Sequence, residues 1–327
     1  MGFSDNLNQG FLGGGTTGGG GGGTPVPTSI VNTDFIYGNG FFFNHGLVLA
    51  SLSITAVQPD GKILVGGGFD TYNTQSVGQN FIRLNPDGSI DTSFNVGIGF
   101  DDSVLATAVQ SDGKILCGGV FNNYNGNVAY KIIRLNTDGS FDNTFYYGTG
   151  FDSDVYSIVV QPDGKILVGG AFTLYNGNTA KYIIRLNSDG IVDTSFVTGN
   201  GFDDVVNSIA IQSNGKILLG GGFTSYDGSD AGHLIRVNQD GSLDSSFVTG
   251  SGFGDSVFSI AVQSDGKILA GGAFNDYNGV EANRLIRLNS DGLVDTSFVT
   301  GGGFDTFVFS IAIQSNGKII VGGEFNS

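Results

Sequence analysis

Short runs of alternating apolar and polar residues recur along the chain and change direction at Gly-containing turns. One stretch carries the whole pattern. Ser208-Ile209-Ala210-Ile211-Gln212 alternates and is rich in β-branched residues, which predicts a strand with one buried face. Asn214-Gly215 follows, and Asp-Gly or Asn-Gly between two such runs predicts a two-residue hairpin turn whose central residues both need positive φ. Lys216-Ile217-Leu218-Leu219 is then the return strand. Its Gly220-Gly221 ending predicts a bulge or a close backbone approach. Leu234-Ile235-Arg236-Val237-Asn238 reads as a third strand, and Asp240-Gly241 turns it into a short fourth, as in Ile90 to Phe94.

The block Gly-Lys-Ile begins at Gly61, Gly113, Gly164, Gly215, Gly266 and Gly317, with spacings of 52 and then 51 residues throughout. A period of this size marks a repeat architecture. Four short strands per unit and no helical periodicity predict an all-β chain of tandem ~51-residue repeats forming a β-propeller of six blades. A β-solenoid is the alternative, but its coils are usually shorter and lack tight hairpins. Residues 1–28 fall outside the repeat and read as a Gly-rich N-terminal arm, leaving 29–327 as the propeller domain. Ser29-Ile30-Val31-Asn32-Thr33-Asp34-Phe35 matches the fourth-strand block Gly190 to Phe196. The last blade is therefore expected to be completed by an N-terminal strand around 29–36, which removes an exposed sheet edge. The sixth unit lacks its Ile-Arg-Leu-Asn strand. A three-stranded blade, a continuing chain and a strand from a partner all remain open.

Gln58 to Gly67 and Gln161 to Gly170 read Gln-Pro-Asp-Gly-Lys-Ile-Leu-Val-Gly-Gly, and Arg83 to Phe94 reads Arg-Leu-Asn-Pro-Asp-Gly-Ser-Ile-Asp-Thr-Ser-Phe. These blocks resemble the delta-sixty repeat family of bacterial and phage proteins, over about residues 29 to 327. The resemblance implies a β-propeller. It implies no settled activity and supplies no catalytic residues.

Charged residues make up only 13% of the chain, and there are 57 glycines. Such a composition could signal disorder, but 27 Phe, 11 Tyr and many aliphatic residues supply a core. The net charge of −16 repels phosphate backbones and anionic lipid, so neither nucleic acid nor a membrane is an expected partner. Eleven of the 14 basic residues recur at two repeat positions, those of Lys216 and Arg236. That spacing suits a structural role rather than a binding patch. Cys117 is the single cysteine and stands where other units carry Val, Leu or Ala, which reads as a buried hydrophobe. No apolar run is long enough for a membrane helix. The start of the sequence, Met1-Gly2-Phe3-Ser4-Asp5, does not read as a secretory signal.

Three sets of residues carry candidate chemistry. Tyr124-Asn125, Tyr175-Asn176, Tyr226 and Tyr277-Asn278 precede glycines and, if exposed around a ring, could stack on and hydrogen-bond sugars. The competing reading is a packed tyrosine beside an Asn-Gly turn. Asn85, Asp87 and Asp91 partly resemble a calcium loop, but calcium wants six to eight oxygen ligands, and turn chemistry explains the same residues without metal. Their Asp could instead pair with the repeated Arg. Asp101/Asp102, Asp152/Asp154 and Asp203/Asp204 form acidic pairs. Paired carboxylates can hydrolyse glycosides, but pairs that recur in nearly every unit lack the asymmetry such a site needs. No nucleophile–base pairing, phosphate loop or zinc spacing is present.

These readings predict a protein that is not an enzyme, holds no cofactor, and acts as a structural or attachment scaffold at a virion or extracellular surface. A phage tail-fibre, spike or decoration protein fits, and a carbohydrate-binding surface propeller is the alternative. The arm, with Gly13, Gly14, Gly15, Gly18, Gly19 and Gly20, is the expected assembly device. It would dock on other virion or surface proteins or form a homo-oligomer.

Overall fold

The computed structural model describes residues 41–42 and 51–325. The expected arm, its six assembly glycines and the expected closing strand around 29–36 lie outside the described residues. The described elements are all strands, and the six units form a six-bladed β-propeller. In each of the first five blades a three-stranded antiparallel sheet runs in chain order. In the third, Val155–Val160 pairs with Ile166–Gly170, which pairs with Ile183–Leu186. The sixth blade shows Val308–Ile313 against Ile319–Gly323. First strands of successive blades lie side by side, so they are innermost and the third strands outermost.

Two details of the strands differ from the sequence reading. The expected fourth strand shrinks to a single bridge, as between Leu186 and Val192. The next residue, Asp193, folds its carboxylate back onto the Ser195 N–H at 3.0 Å and the Ser195 hydroxyl at 2.7 Å. That Asx-type turn takes the chain out of the ladder. The Asp-Gly before the repeated lysine is also not a two-residue turn. Gln161 and Lys165 close a three-residue loop in which the Gly164 N–H donates to the Gln161 carbonyl, and only Gly164 has positive φ, at 85°. This is a type I turn followed by a glycine bulge. The two-residue turn lies instead in the Tyr-Asn-Gly motif, where Asn176 and Gly177 have φ of 50° and 75°.

The Gly-Gly pair performs two distinct jobs. A Cβ on Gly169 would come within 2.8 Å of Val206 Cγ1 in the next blade. A Cβ on Gly170 would come within 2.2 Å of the Asp154 carbonyl oxygen in its own blade. The first glycine therefore lets neighbouring blades touch, and the second accommodates the bulge between Val155 and Ser157. That bulge is repeated in each blade. In the next one it turns the Ile209 N–H toward the preceding blade, where it donates to Ser157 Oγ at 3.2 Å.

Between blades lie separate apolar clusters rather than one continuous core. One joins Leu167 and Ile183 to Phe202, Val206, Ile209, Phe223 and Tyr226. Four further clusters likewise combine buried residues of two successive units, so a single unit does not bury its own apolar face.

Candidate functional site

The two ends of the propeller differ in chemistry. At one, called here the hairpin end, the Gly-Lys turns and the second Asp-Gly turns meet, and five copies of one ionic network hold them. In the third blade Asp193 accepts from Arg185 Nε at 2.7 Å and from Lys165 Nζ at 2.8 Å. The Arg185 guanidinium also donates to Ser195 Oγ at 3.1 Å, to the Gln239 carbonyl of the next blade, and lies 4.7 Å over the Phe196 ring. Burial pushes the Asp193 carboxyl up, but donors from Lys165, Ser195 and Arg185 outweigh it and hold it well below the usual carboxylate range. The copies centre on Asp91, Asp142, Asp244 and Asp295. Arg83, Arg134 and Arg236 likewise reach a carbonyl of the following blade.

This geometry argues against the calcium reading. Asp91 faces Lys62 Nζ at 2.9 Å and Arg83 Nε at 2.7 Å, and its other oxygen takes the Ser93 N–H and hydroxyl. Asp87 caps Ser89, and Asn85 donates to the Ser89 hydroxyl. A carboxylate already paired with two cations is a poor ligand for a third. Among the described residues no acidic, His or Cys cluster is arranged to hold a metal ion.

The tyrosines are also spent on structure. Tyr124, Tyr175, Tyr226 and Tyr277 are buried, with at most 3% of their surface exposed. The Tyr175 hydroxyl donates to the Gly190 carbonyl at 2.9 Å, and its ring lies 4.6 Å from that of Phe151. Tyr226 and Tyr277 repeat the bond to Gly241 and Gly292, and Tyr124 to Gly139. Ring faces packed in this way cannot stack on a sugar, which corrects the expectation for the four tyrosines. Asn176 Oδ1 accepts from the Thr149 and Gly150 N–H groups at 2.7 and 3.0 Å, and Asn278 does the same for Gly252 at 3.0 Å. Asn125 accepts more weakly from Ile98, at 3.3 Å. These asparagines clip each hairpin to the end of the preceding unit.

The acidic pairs divide by role. Asp152 accepts from the Thr173 and Leu174 N–H groups and the Thr173 hydroxyl, all within 2.8 Å. Asp101 and Asp203 do the equivalent. Their neighbours Asp102 and Asp204 are exposed. Asp154 is half-buried, and that burial pushes its carboxyl up, partly offset by Lys131 Nζ at 3.7 Å, while Asp102 adds to the rise.

Sequence reasoning missed the other end. Where first strands begin and second strands end, three repeat positions change residue from blade to blade. The position before the first strand is Ser103, Asp154, Val205, Ser256 and Phe307. The second residue of that strand is Leu105, Tyr156, Asn207, Phe258 and Phe309. The residue ahead of the third strand is Lys131, Tyr182, His233 and Arg284, all with φ between 66° and 74°. These positions interact across blades: Lys131 reaches Asp154, Arg284 lies 5.6 Å over Phe307, and Asn207 donates to the Val257 carbonyl at 3.0 Å. The available signal was difference among otherwise uniform repeats, which is visible only once the units are set against each other.

A groove of about 400 Å³ lies at the rim between the third and fourth units. Its walls include Thr198, Asp227, Ser229, Asp240 and Ser242, with Val197 and Leu243 as apolar surface.

The chain belongs to the family described as Domain of unknown function (DUF5122) beta-propeller, whose model matches residues 58–94, 110–145, 161–196, 212–247, 263–298 and 314–327. No curated protein sequence matches it. Among solved structures it is similar to PorZ, a surface component of the type-IX secretion system of Porphyromonas gingivalis. That likeness has a TM-score of 0.52 at 14% identity and covers 83% of this chain and 37% of PorZ. It is similar to the extracellular domain of a B. thetaiotaomicron protein ascribed to a hybrid two-component system, with a TM-score of 0.49 at 15% identity, covering 87% of this chain and 38% of the other. It is also similar to a gluconolactonase from Xanthomonas campestris, with a TM-score of 0.45 at 12% identity, covering 87% and 84%. At these identities the likeness is one of fold alone. It nevertheless corrects the expectation that the chain is not an enzyme. A gluconolactonase stands among the similar folds. No activity passes to this chain from that likeness.

Proposed function

We propose that the protein is a recognition scaffold displayed at a surface, extracellular or on a virion, whose contact area is the end where the repeats differ. One observation carries the reading. The hairpin end repeats the same network five times, whereas the opposite end sets different side chains side by side around the axis. The repeated network accounts for the likeness of the blades at the one end, and unlike groups set side by side at the other supply what a defined ligand needs. Surface display draws support from the fold shared with a secretion-system surface component, and the virion setting from the resemblance to repeat proteins of phages. In this proposal residues 1–28 tether the propeller to an assembly of surface or virion proteins. Light scattering on the full chain and on one starting at Thr28 tests the tether: an oligomer that becomes a monomer supports it, and two monomers count against self-assembly.

The recognition reading is tested on a broad glycan array together with cell-envelope fragments. The variants exchange residues between repeats: Tyr156→Leu takes the residue of the second blade and Phe258→Asn that of the fourth. Loss of a bound signal in these variants supports the reading. A ligand held equally well by both variants would point elsewhere.

The rim groove favours a second reading, sugar binding by polar walls over a small apolar floor. Asp227 stands there where other blades have Asn. Glycan binding lost in Asp227→Asn and intact in the axial variants would support this reading over the first.

A further inference from the structure

Resting on the recognition reading above, we propose that the variable end binds a basic peptide segment with an apolar anchor. The anchor site is a partly open aromatic triangle at the junction of the fifth and sixth blades. Phe258 and Phe309 lie 5.4 Å apart between ring centroids, and Phe307 lies 6.1 and 6.0 Å from them. Phe307 is 36% exposed. In the other blades these positions hold Ser, Asp, Val, Leu, Tyr or Asn, so the fold does not require three phenylalanines there. Clustered aromatic surface beside polar neighbours is the makeup of an interaction anchor.

Charge selects the occupant. Ten of the 14 basic residues sit in the five networks of the hairpin end with only five Asp. Four basic residues remain for the other 25 acidic ones. At the variable end, Lys131 is drawn to Asp154 and the Val120 carbonyl, and Arg284 donates to the Ala273 carbonyl. Asp102, Asp204 and Asp255 at the same end are exposed, and each caps only the N–H of the next residue. Their field attracts cations, and the faces of Phe258 and Phe309, beside the Phe307 ring that Arg284 already covers, add cation–π attraction for Lys or Arg. An acidic partner or an anionic polysaccharide would be repelled.

The test uses full-length protein and a short fluorescein-labelled peptide alternating Lys with Leu, read by fluorescence anisotropy at low and physiological salt. Its counterpart with Glu in place of Lys is the charge control. Substitutions are taken from sister repeats so that the fold tolerates them. F258N/F307S/F309N removes the anchor, and D102S/D204S/D255S removes three acids using the Ser found at 153. D112N/D163N/D265N removes as many acids at the hairpin end, where Asn214 already makes the same turn contact to the lysine N–H. The Lys–Leu peptide is expected to bind and the Glu–Leu peptide not. The aromatic triple variant should weaken binding at least about tenfold. The D102S set should weaken it and flatten its salt dependence, and the D112N set should leave it unchanged. No binding of the Lys–Leu peptide, or equal loss from both acidic sets, overturns the proposal. If the peptide fails while axial variants still abolish glycan or envelope binding, only this inference falls. If the peptide binds and the aromatic variant does not weaken it, the assignment of the contact area falls as well.

Discussion

Replacing Asp193 by Asn keeps the shape of the side chain and removes the charge at the centre of a blade-to-blade network. Its side chain is 9% exposed and that of Arg185 6%, whereas Lys165 is 30% exposed. The substitution leaves Arg185 buried against Phe196 and the Gln239 carbonyl without its anion. Breaking a buried pair by removing one partner costs about 3–5 kcal/mol. Lys165 can swing into water, so the cost should fall at the lower limit, about 3 kcal/mol. Equilibrium unfolding in urea, followed by far-ultraviolet circular dichroism, measures it as a fall in midpoint at unchanged slope. Lys165→Met is the comparison: an ion pair with one exposed partner is worth about 0–1 kcal/mol. If Asp193→Asn is as mild as Lys165→Met, the carboxylate is solvated and the network does not join the blades.

The remaining expectations use the same geometry. Gly169→Ala should destabilise by about 1–3 kcal/mol through overlap with Val206, read in the same urea assay, with a loss near zero contradicting the close approach. Tyr175→Phe should cost about 1–3 kcal/mol by leaving the Gly190 carbonyl unpaired, without altering glycan binding. Burial raises the Cys117 thiol well above its ordinary pKa, so it should resist a thiol reagent in the native state and react on unfolding. Acid should unfold the protein through the networks. Asp91, Asp142, Asp193 and Asp244 are held well below the usual carboxylate range. A depressed folded-state pKa stabilises above the unfolded value of about 4 and is lost as pH falls toward the folded one. Urea midpoints should therefore drop steeply below about pH 4, and Asp193→Asn should make that slope shallower.

The strands were legible because the repeat displays each apolar alternation several times over. The Gly-Gly pair was legible as a close approach for the same reason, and the Arg–Asp partnership was legible as one of two uses for the repeated Asp. For Tyr175 the motif offered both a sugar-stacking ring and a packed one beside an Asn-Gly turn; the second is the structure's, and the motif could not choose because the packing partners Phe151 and Phe172 arrive from different parts of the chain. The fourth strand failed on a side-chain preference: Asp193 captures the Ser195 backbone before a ladder can form. The variable end stayed hidden because Tyr156, Asn207 and Phe258 share a repeat position without sharing chemistry, and consensus reading discards such differences.

In this proposal one end of the propeller holds the blades together and the other meets a ligand. The most direct measurement compares two repeat-altered proteins for both thermal unfolding and ligand binding. One carries F258N/F307S/F309N, and the other carries Asp193→Asn. The first should keep its unfolding temperature and lose binding of the Lys–Leu peptide, and the second should bind it while folded but unfold at a lower temperature. The reverse pattern, with the aromatic variant unfolding early and the Asp193 variant stable, would contradict this proposal.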